Sequence, residues 1–362
     1  ADELIGGNDI ASFRRQGQPA SDDWACALLA GLQLREIGIG GISSRPRTRA
    51  ILDRVAGWIA ESLPVHPDEG GMPAVSRAWA GDILDGLGDP RFDPQHCHLP
   101  ADETLGFVRI PADLGFRIGV RKADADRVAR LIGHDVPAEV NDEPTPTDEF
   151  WIARYPVTVG QFRDFVEATR FELGDADAMH DPDNRPVRNV SWHEALDYCA
   201  WLNDRLAGAS EFDGNELSRR VREQGWRVML PSELEWEKAA RGGLPNCHYP
   251  WGDEADPERA NYRETGIGDT SAVGCFAPNG YGPYDMAGNV YEWTRSCYAP
   301  YLYRSDDGRE SMLAADDERV VRGGSWDTHR DYARCACRYG LHPGDRNRLL
   351  GFRVVLRSAP VS

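Results

Sequence analysis

The pair Cys335 and Cys337 is the feature of the sequence that most directly suggests chemistry. One alanine separates the two cysteines, so on an extended chain their side chains point to the same face. Thiolates are soft ligands that suit Cu(I). The alternative is two small thiols on a strand or loop surface. The other six cysteines are scattered and form no CxxC pair, and in a chain of this length such a set is typical of reduced thiols in a cytosolic protein.

Two other segments carry residue types that bind metals. Residues 96–98 read His-Cys-His, but three adjacent residues do not easily face one ion, so we interpret them as a loop. The acidic segment 175–183 has the alternating aspartates of an EF-hand without its central Gly and terminal Glu, which favours a solvated loop. The phosphate-binding pattern GxxxxGK[ST] and the GxSxG elbow do not occur.

Composition limits the class of protein. The 362 residues are more than one ordinary core needs, so two structural units are expected. The formal net charge of -18 argues against nucleic acid as a partner, because phosphate neutralisation needs an excess of Lys and Arg. No apolar run approaches the ~20 residues that span a bilayer, and no signal peptide is visible. These features predict a cytoplasmic protein that does not bind membranes. Because the sequence begins with Ala1 instead of Met, further domains upstream are expected.

The elements that must position the chemistry follow from periodicity and capping. Residues 22–36, 48–63 and 73–87 have helical spacing of apolar residues and predict an all-helical N-terminal unit over 1–100. From about residue 104 the pattern changes, with GFVRIP and FRIGV as expected strands. Residues 121–149 are then charged and Pro-containing, with a loop-like end. Capping boxes predict three helices that begin at Thr158, Ser191 and Ser232.

Motifs over the last 260 or so residues resemble the formylglycine-generating-enzyme (sulfatase-modifying) family in their order. The motifs are WIARYPVTVGQFRDFVEAT (151–169), RPVRNVSWHEALDYCAWL (185–202), WRVMLPSELEWEKAARGG (226–243), YPWGDE (249–254), APNGYGPYDMAGNVYEWT (277–294), RVVRGGSW (319–326) and GFRVVL (351–356). The resemblance implies an α+β fold, in which the family's variant of the C-type lectin fold occupies 101–362 after the helical unit. The family's small-residue MG turn is replaced by FRIGV, and an insertion follows.

The resemblance implies a copper-dependent activity only in part. Enzymes of this family oxidise a substrate cysteine with two cysteines that bind copper, the second lying in an RCAAR-like stretch. Cys335 falls at that second position, but the segment before it is shorter and contains no cysteine, and the spacing of Cys337 differs from that of the family pair. We therefore expect neither copper nor catalytic residues here.

The resemblance also implies structural calcium, at two places. The family's GNxxEW segment matches Gly288 to Trp293, where Asn289 and Glu292 would supply side-chain oxygens and Gly288 and Val290 carbonyl oxygens. A second site would use Asn261, the Tyr262 carbonyl and Asp269. The alternative at the first site is a hydrogen-bond network of the same residues without metal.

The segment 327–353 has an unusual composition, with no Glu, Lys, Gln, Met or Trp. The residues that do occur include Asp, His, Arg, Tyr, Cys, Leu and Gly, all reachable from an Asn codon by changing its adenines. The layout, with GGSW at 323–326 before the segment and GFR at 351–353 after it, resembles variable proteins of diversity-generating retroelements, which rewrite adenines near the end of a target gene. The alternative is an ordinary loop of an inactive family member.

The leading hypothesis is a variable, ligand-binding protein whose diversified surface is residues 327–350. Its ligand is expected to be a protein, and the chain is interpreted as a sensor module of a bacterial signalling or defence protein. Rigid amphipathic Tyr and His side chains suit such a surface. The candidate ligand-facing residues are Asp327, His329, Asp331, Tyr332, Cys335, Cys337, Tyr339, Leu341, His342, Asp345, Asn347, Leu349 and Leu350. The alternative function is that of a formylglycine-generating-type oxidase or another enzyme of the family.

Overall fold

A computed structural model describes residues 23–38, 46–304, 306–312 and 316–358. The architecture is α+β, as the sequence predicts, with helices first and the mixed part after them. The predicted helix start at residue 22 and everything before it lie outside the described residues. The division into 1–100 and 101–362 stays a prediction.

The N-terminal unit consists of α1 (Asp23–Ile37), α2 (Pro46–Ser62) and α3 (Ala74–Leu87), close to the predicted bounds. Their apolar faces form a core that also contains Ala272, Cys275 and Phe276 from the far part of the chain. The fully buried Arg77 of α3 supports this junction, since its guanidinium donates to the Cys275 carbonyl at 3.1 Å. The helical unit and the rest of the chain therefore share one core.

In the described residues the strands form two four-stranded sheets and a short two-stranded one. The strands are β1 (Phe92–Asp93), β2 (Leu99–Pro100), β3 (Phe107–Ile110), β4 (Phe150–Ala153), β5 (Trp226–Met229), β6 (Tyr291–Cys297), β7 (Arg319–Arg322), β8 (Arg338–Leu341), β9 (Leu350–Phe352) and β10 (Val355–Ser358). The first sheet has the order β3-β4-β10-β5 and is antiparallel. The second has the order β8-β7-β6-β9, with β6 and β9 parallel. The two outer strands of the second sheet are β8, which lies within segment 327–350, and β9, which begins at its end.

The remaining helices are α4 (Lys122–Ile132), α5 (Val159–Thr169), α6 (Trp192–Gly208), α7 (Glu216–Gln224) and α8 (Glu233–Ala240). The three predicted capping boxes are present at the starts of α5, α6 and α8, and each satisfies two otherwise free backbone amides. Helices α5 and α6 pack against Trp293 and Phe352 in the main core.

One expectation for residues 104–149 was wrong. GFVRIP contains β3, but FRIGV forms no strand, because only Val120 makes a ladder-type bridge, to Val140. The charged stretch after it contains α4, a helix that was not predicted from the sequence. Its apolar side is narrow, with Val128 buried and Ile132 partly buried in one small cluster.

The carboxyl group of Asp285 gives the fold a pH-dependent contribution. Burial raises its pKa to about 6, although Oδ2 accepts a hydrogen bond from the Gly274 amide at 2.7 Å. A carboxyl with a raised folded-state pKa stabilises the fold fully below its unfolded value of 3.8, and this contribution is lost as the pH rises through about 6. We expect Asp285→Asn to be more stable than the wild type at pH 7.5 by roughly 1–3 kcal/mol.

Melting curves of both proteins between pH 4 and pH 7.5 test this expectation. The difference in melting temperature should grow as the pH rises from 4 to 6.5 and then level off. A difference that is constant over this range would contradict the assignment to Asp285 ionisation.

A candidate ligand-binding face and the thiol pair beneath it

Segment 327–350 begins after a sharp turn made by two glycines. Gly323 and Gly324 have φ of +94° and +70°, which side-chain-bearing residues rarely adopt. A Cβ on Gly324 would lie 2.9 Å from the Tyr332 carbonyl carbon. From this turn the chain passes through a short 3-10 turn (Arg330–Ala333) into β8, then through a loop to β9.

Two arginines inside the segment anchor it from below. Arg334 is 2% exposed and donates to both carboxylate oxygens of Glu139, at 2.7 and 2.8 Å. Arg338 donates to both oxygens of Glu233, at 2.6 and 2.7 Å. Bidentate pairs of this kind fix geometry as well as contribute energy. The backbone of the segment is therefore held by carboxylates that lie outside it.

Ten of the thirteen predicted ligand-facing residues reach the surface. Tyr332 is 42% and Tyr339 is 54% exposed. The exposed or half-buried set is Asp327, His329, Asp331, Tyr332, Tyr339, Leu341, His342, Asp345, Asn347 and Leu349. We call this set the variable face. It carries aromatic, acidic and imidazole groups side by side.

Three predicted positions are corrected. Cys335 and Leu350 are 0% exposed and Cys337 is 8% exposed, so they do not face a ligand in this structure. Leu350 points into the main core and Cys335 into a second cluster under α8. The alternation of an extended chain does not apply at Cys335, because the 3-10 turn precedes it and β8 begins only at Arg338.

Residues from outside the segment contact the variable face. Glu264 forms an ion pair with His329 Nε2 at 2.8 Å, and Arg263 donates to the Asp327 carbonyl at 2.6 Å. The Tyr291 hydroxyl hydrogen-bonds Thr328, and burial raises its pKa. Sequence reasoning missed these neighbours, since they come from segments up to 66 residues away.

Beneath the variable face, Cys335 lies in one buried cluster with Cys247, a neighbour that the spacing of the cysteines in the sequence did not predict. The Cys335 amide donates to the His248 carbonyl at 2.7 Å, which brings Cys247 into the same buried cluster. The neighbouring Cys335 thiol is the largest influence on the pKa of Cys247, and it lowers that pKa. Burial raises the pKa of Cys335, and it raises that of Cys337 to about 12. The neighbour of Cys335 is therefore Cys247, not Cys337.

The first candidate calcium site is assembled, but its carboxylate is occupied by an arginine. Glu292 is 1% exposed and accepts from Arg353 with both oxygens, at 2.6 and 2.7 Å, and from the Trp236 indole at 2.6 Å. The Asn289 side chain bonds Ser271 through both of its polar atoms. Gly288 and Val290 are buried beside them. These contacts fit the hydrogen-bond network without metal.

At the second candidate site, too, arginine side chains occupy the carboxylate that would bind a metal ion. Asp269 pairs with Arg185 at 3.1 Å and with Arg188 at 2.7 Å. Asn261 Nδ2 donates to the Asp269 carbonyl at 2.9 Å, while the Tyr262 carbonyl accepts the Thr265 amide. Across the described residues, no group of three or more His, Cys, Asp or Glu side chains could hold a metal ion. The donor set does not fit calcium at either place.

We therefore expect calcium and its removal to leave stability unchanged. Because Arg353 already neutralises Glu292, excess EDTA or millimolar calcium should shift the melting temperature by less than about 1 °C. Thermal unfolding in each condition measures this. A rise of several degrees that saturates with calcium would contradict it.

The histidines of the segment 96–98 do not form a common metal site. His96 Nδ1 bonds Asp93 at 2.6 Å, while His98 Nδ1 bonds Asp164 at 2.6 Å, so the two imidazoles contact different carboxylates.

No helix in the described part of the chain has the length and apolar character needed to cross a membrane.

Known proteins match about half of this chain. A formylglycine-generating enzyme of Bos taurus is 31% identical over 204 residues, which cover 52% of this chain and 48% of that protein. An inactive C-alpha-formylglycine-generating enzyme 2 of Mus musculus is 38% identical over 186 residues, which cover 46% of this chain and 48% of that protein. The chain spans about half the length of these relatives. One is named as an enzyme and the other as inactive, so the shared sequence does not decide catalysis.

Solved structures support the same fold. PvdO from Pseudomonas aeruginosa has a TM-score of 0.54 at 26% identity and covers 69% of this chain and 94% of its own. Variable protein 1 of Treponema denticola has a TM-score of 0.50 at 22% identity, with the same coverage of both chains. The second likeness is one of fold.

The family described as the sulfatase-modifying factor enzyme 1-like domain matches residues 109–358. This match takes in both sheets, α4 to α8 and the whole variable face. The chain therefore belongs to the sulfatase-modifying factor (formylglycine-generating enzyme) family, with the C-type lectin-like fold and the helices α1 to α3 in front of the matched domain.

Proposed function

We propose that this protein is a ligand-recognition member of its family and that the variable face binds a protein. The observation that carries the proposal is that segment 327–350 contains both buried, ion-paired residues and exposed residues. Arg334 and Arg338 are buried and paired with carboxylates outside the segment, whereas ten predicted positions reach the surface. Such a segment can change its exposed residues without losing its anchors.

The chemistry of the face suits a protein ligand. Tyr332 and Tyr339 offer large, rigid, amphipathic contact area, as in the binding loops of antibodies. Asp327 is paired with Arg348 at 2.9 Å and His329 with Asp331 at 2.8 Å, so the same segment also presents charged groups of both signs. A polar rim around aromatic anchors is the usual make-up of a protein interface.

The sequence pattern supports variation at these positions. The segment lies between GGSW and GFR, and its exposed residues are of types that adenine replacement in Asn codons produces. A cytoplasmic location within a bacterial signalling or defence protein completes the proposal, and it suits eight cysteines that are all free.

Sequencing tests the proposal directly. DNA encoding residues 320–356 would be read deeply from one cultured population, and the surrounding genome searched for a near-identical second copy. Substitutions confined to adenines of that copy, at codons of the variable face and not at Arg334 or Arg338, are the expected result. A uniform segment without a second copy would overturn the proposal.

A second candidate function is oxidation of a substrate cysteine, as the enzyme relatives suggest. One observation favours it, namely that Cys335 occupies the family's second cysteine position and has the Cys247 thiol as a neighbour. The 0% exposure of Cys335 opposes it, because a peptide cannot reach that sulfur. Incubation with copper and a cysteine-containing peptide separates the two functions, since a binding protein yields no aldehyde.

A further inference from the structure

We propose that Cys247 and Cys335 form a redox site, in which a hydroperoxide converts the two thiols to a disulfide. The site is separate from the variable face, and the inference does not depend on ligand binding. It rests on the contact between two thiols that the chain brings together from distant segments, and on the cavity beside them.

The backbone holds the two cysteines in place. The Cys335 amide donates to the His248 carbonyl at 2.7 Å, so the two segments that carry the thiols meet at this bond. The Cys247 thiol also contacts the Arg241 carbonyl at 3.8 Å, and both sulfurs belong to one buried cluster. The shared cluster and the backbone hydrogen bond place the two side chains next to each other, as a disulfide requires.

A small cavity gives access to one thiol of the pair. The cavity has a volume of about 20 Å³ and is lined by Cys247, His248, Arg241 and Arg334, but not by Cys335. Such a volume holds a water-sized molecule, which admits a small oxidant and excludes a peptide. Cys247 is 5% exposed and Cys335 0% exposed, so the oxidant meets Cys247 first.

The polar groups of the cavity suit an oxygen-rich reactant. The two ring nitrogens of His248 are buried and have no hydrogen-bond partner among the described residues, although the side chain is only 7% exposed. Burial lowers the pKa of His248, so the imidazole is neutral and can both donate and accept. The guanidinium of Arg241 lies on the same wall and carries a fixed positive charge beside the developing hydroxide.

The reaction balances in two steps. The Cys247 sulfur attacks one oxygen of the peroxide, the O–O bond breaks, and the thiol proton leaves with the other oxygen as water or an alcohol. The resulting sulfenic acid is then attacked by the Cys335 sulfur. The S–S bond forms, the S–O bond breaks, and the hydroxyl leaves as water with the Cys335 proton. The sulfur pair loses two electrons, which the peroxide gains.

The disulfide would tie the underside of the variable face to the segment before the YPWGDE motif. It closes a loop of about 90 residues, and cross-links across long loops stabilise a fold most. The expected result is a higher melting temperature, by several degrees, for the oxidised chain. The exposed residues of the variable face would keep their positions.

The experiment treats the whole folded protein with hydrogen peroxide, blocks remaining thiols in denaturant, and maps the cysteine peptides by mass spectrometry. We expect a peptide pair that links Cys247 to Cys335, about 2 Da lighter than the two free peptides, and its loss on reduction with dithiothreitol. Cys26 is more exposed and reports that the oxidant is active.

Two variants make the result specific. Cys337→Ser removes a buried thiol of the same segment and should leave the linked pair unchanged, whereas Cys247→Ser should abolish it. Each variant is checked for native circular dichroism before oxidation. Oxidation of Cys26 without any link between Cys247 and Cys335 in the wild type would overturn the proposal, as would a link of Cys335 to Cys337.

Discussion

Glu237→Ala is expected to lower the free energy of unfolding by about 3–5 kcal/mol, because it leaves the buried guanidinium of Arg241 without its carboxylate partner and removes one of the two partners of Arg322. Glu237 is 0% exposed and accepts from Arg241 at 2.6 and 2.9 Å, from Arg322, and from the Gly119 amide at 2.7 Å. These contacts hold its pKa below the usual range against the effect of burial. Urea denaturation followed by circular dichroism measures the change.

Two companion variants show whether charge is the cause. Glu237→Gln keeps an acceptor without the charge and should fall between the wild type and Glu237→Ala. Glu149→Ala breaks the exposed pair with Arg109 and should leave the urea midpoint nearly unchanged, since solvent screens that pair. Equal midpoints for Glu237→Ala and Glu149→Ala would contradict the role assigned to Glu237.

The adjacent residues Arg338 and Tyr339 of β8 are expected to differ strongly in how much their substitution lowers the free energy of unfolding. Arg338→Ala should cost about 3 kcal/mol or more, because it leaves Glu233, which is 0% exposed, without its bidentate partner. Tyr339→Ala should change stability by no more than about 0.5 kcal/mol, because the ring is more than half exposed. Arg338 also stacks on Tyr298 and Tyr301, at 4.6 and 4.3 Å to the ring centroids, so part of its loss is packing.

The pair Arg338→Ala and Tyr339→Ala tests the proposed division between anchors and exposed positions within one strand. Arg338→Lys is the matched control, since lysine keeps a charge but not the fork that binds both oxygens. Similar losses for Arg338→Ala and Tyr339→Ala in urea denaturation would argue that β8 has no variable side, and would weaken the case for a diversified surface.

The sequence was most informative where structure is local. The starts of α5, α6 and α8 follow from Thr158, Ser191 and Ser232 with their partners three residues on, because capping is a short-range interaction. The motif order also identified the fold, and the motifs GNVYEW and GGSW carry the turns next to β6 and β7 of the second sheet.

The sequence was least informative where distant segments meet. Cys247 and Cys335 lie in separate segments of the chain, and no spacing rule connects them. The buried pair of Glu292 and Arg353 joins residues 61 positions apart, and a carboxylate that looks like a metal ligand in its motif is a counter-ion in the fold. Burial of Cys335 depended on the 3-10 turn before it, which alternation along an extended chain does not predict.

The helices in front of the family domain have a practical consequence for any shortened form of this protein. The family match begins at residue 109, yet the apolar surface of Ala272, Cys275 and Phe276 is covered by α1 to α3. A chain cut at residue 109 would expose that patch, and contiguous apolar patches promote self-association. Expression of the matched domain alone would yield aggregates, so a binding module derived from this scaffold has to carry its helical cover with it.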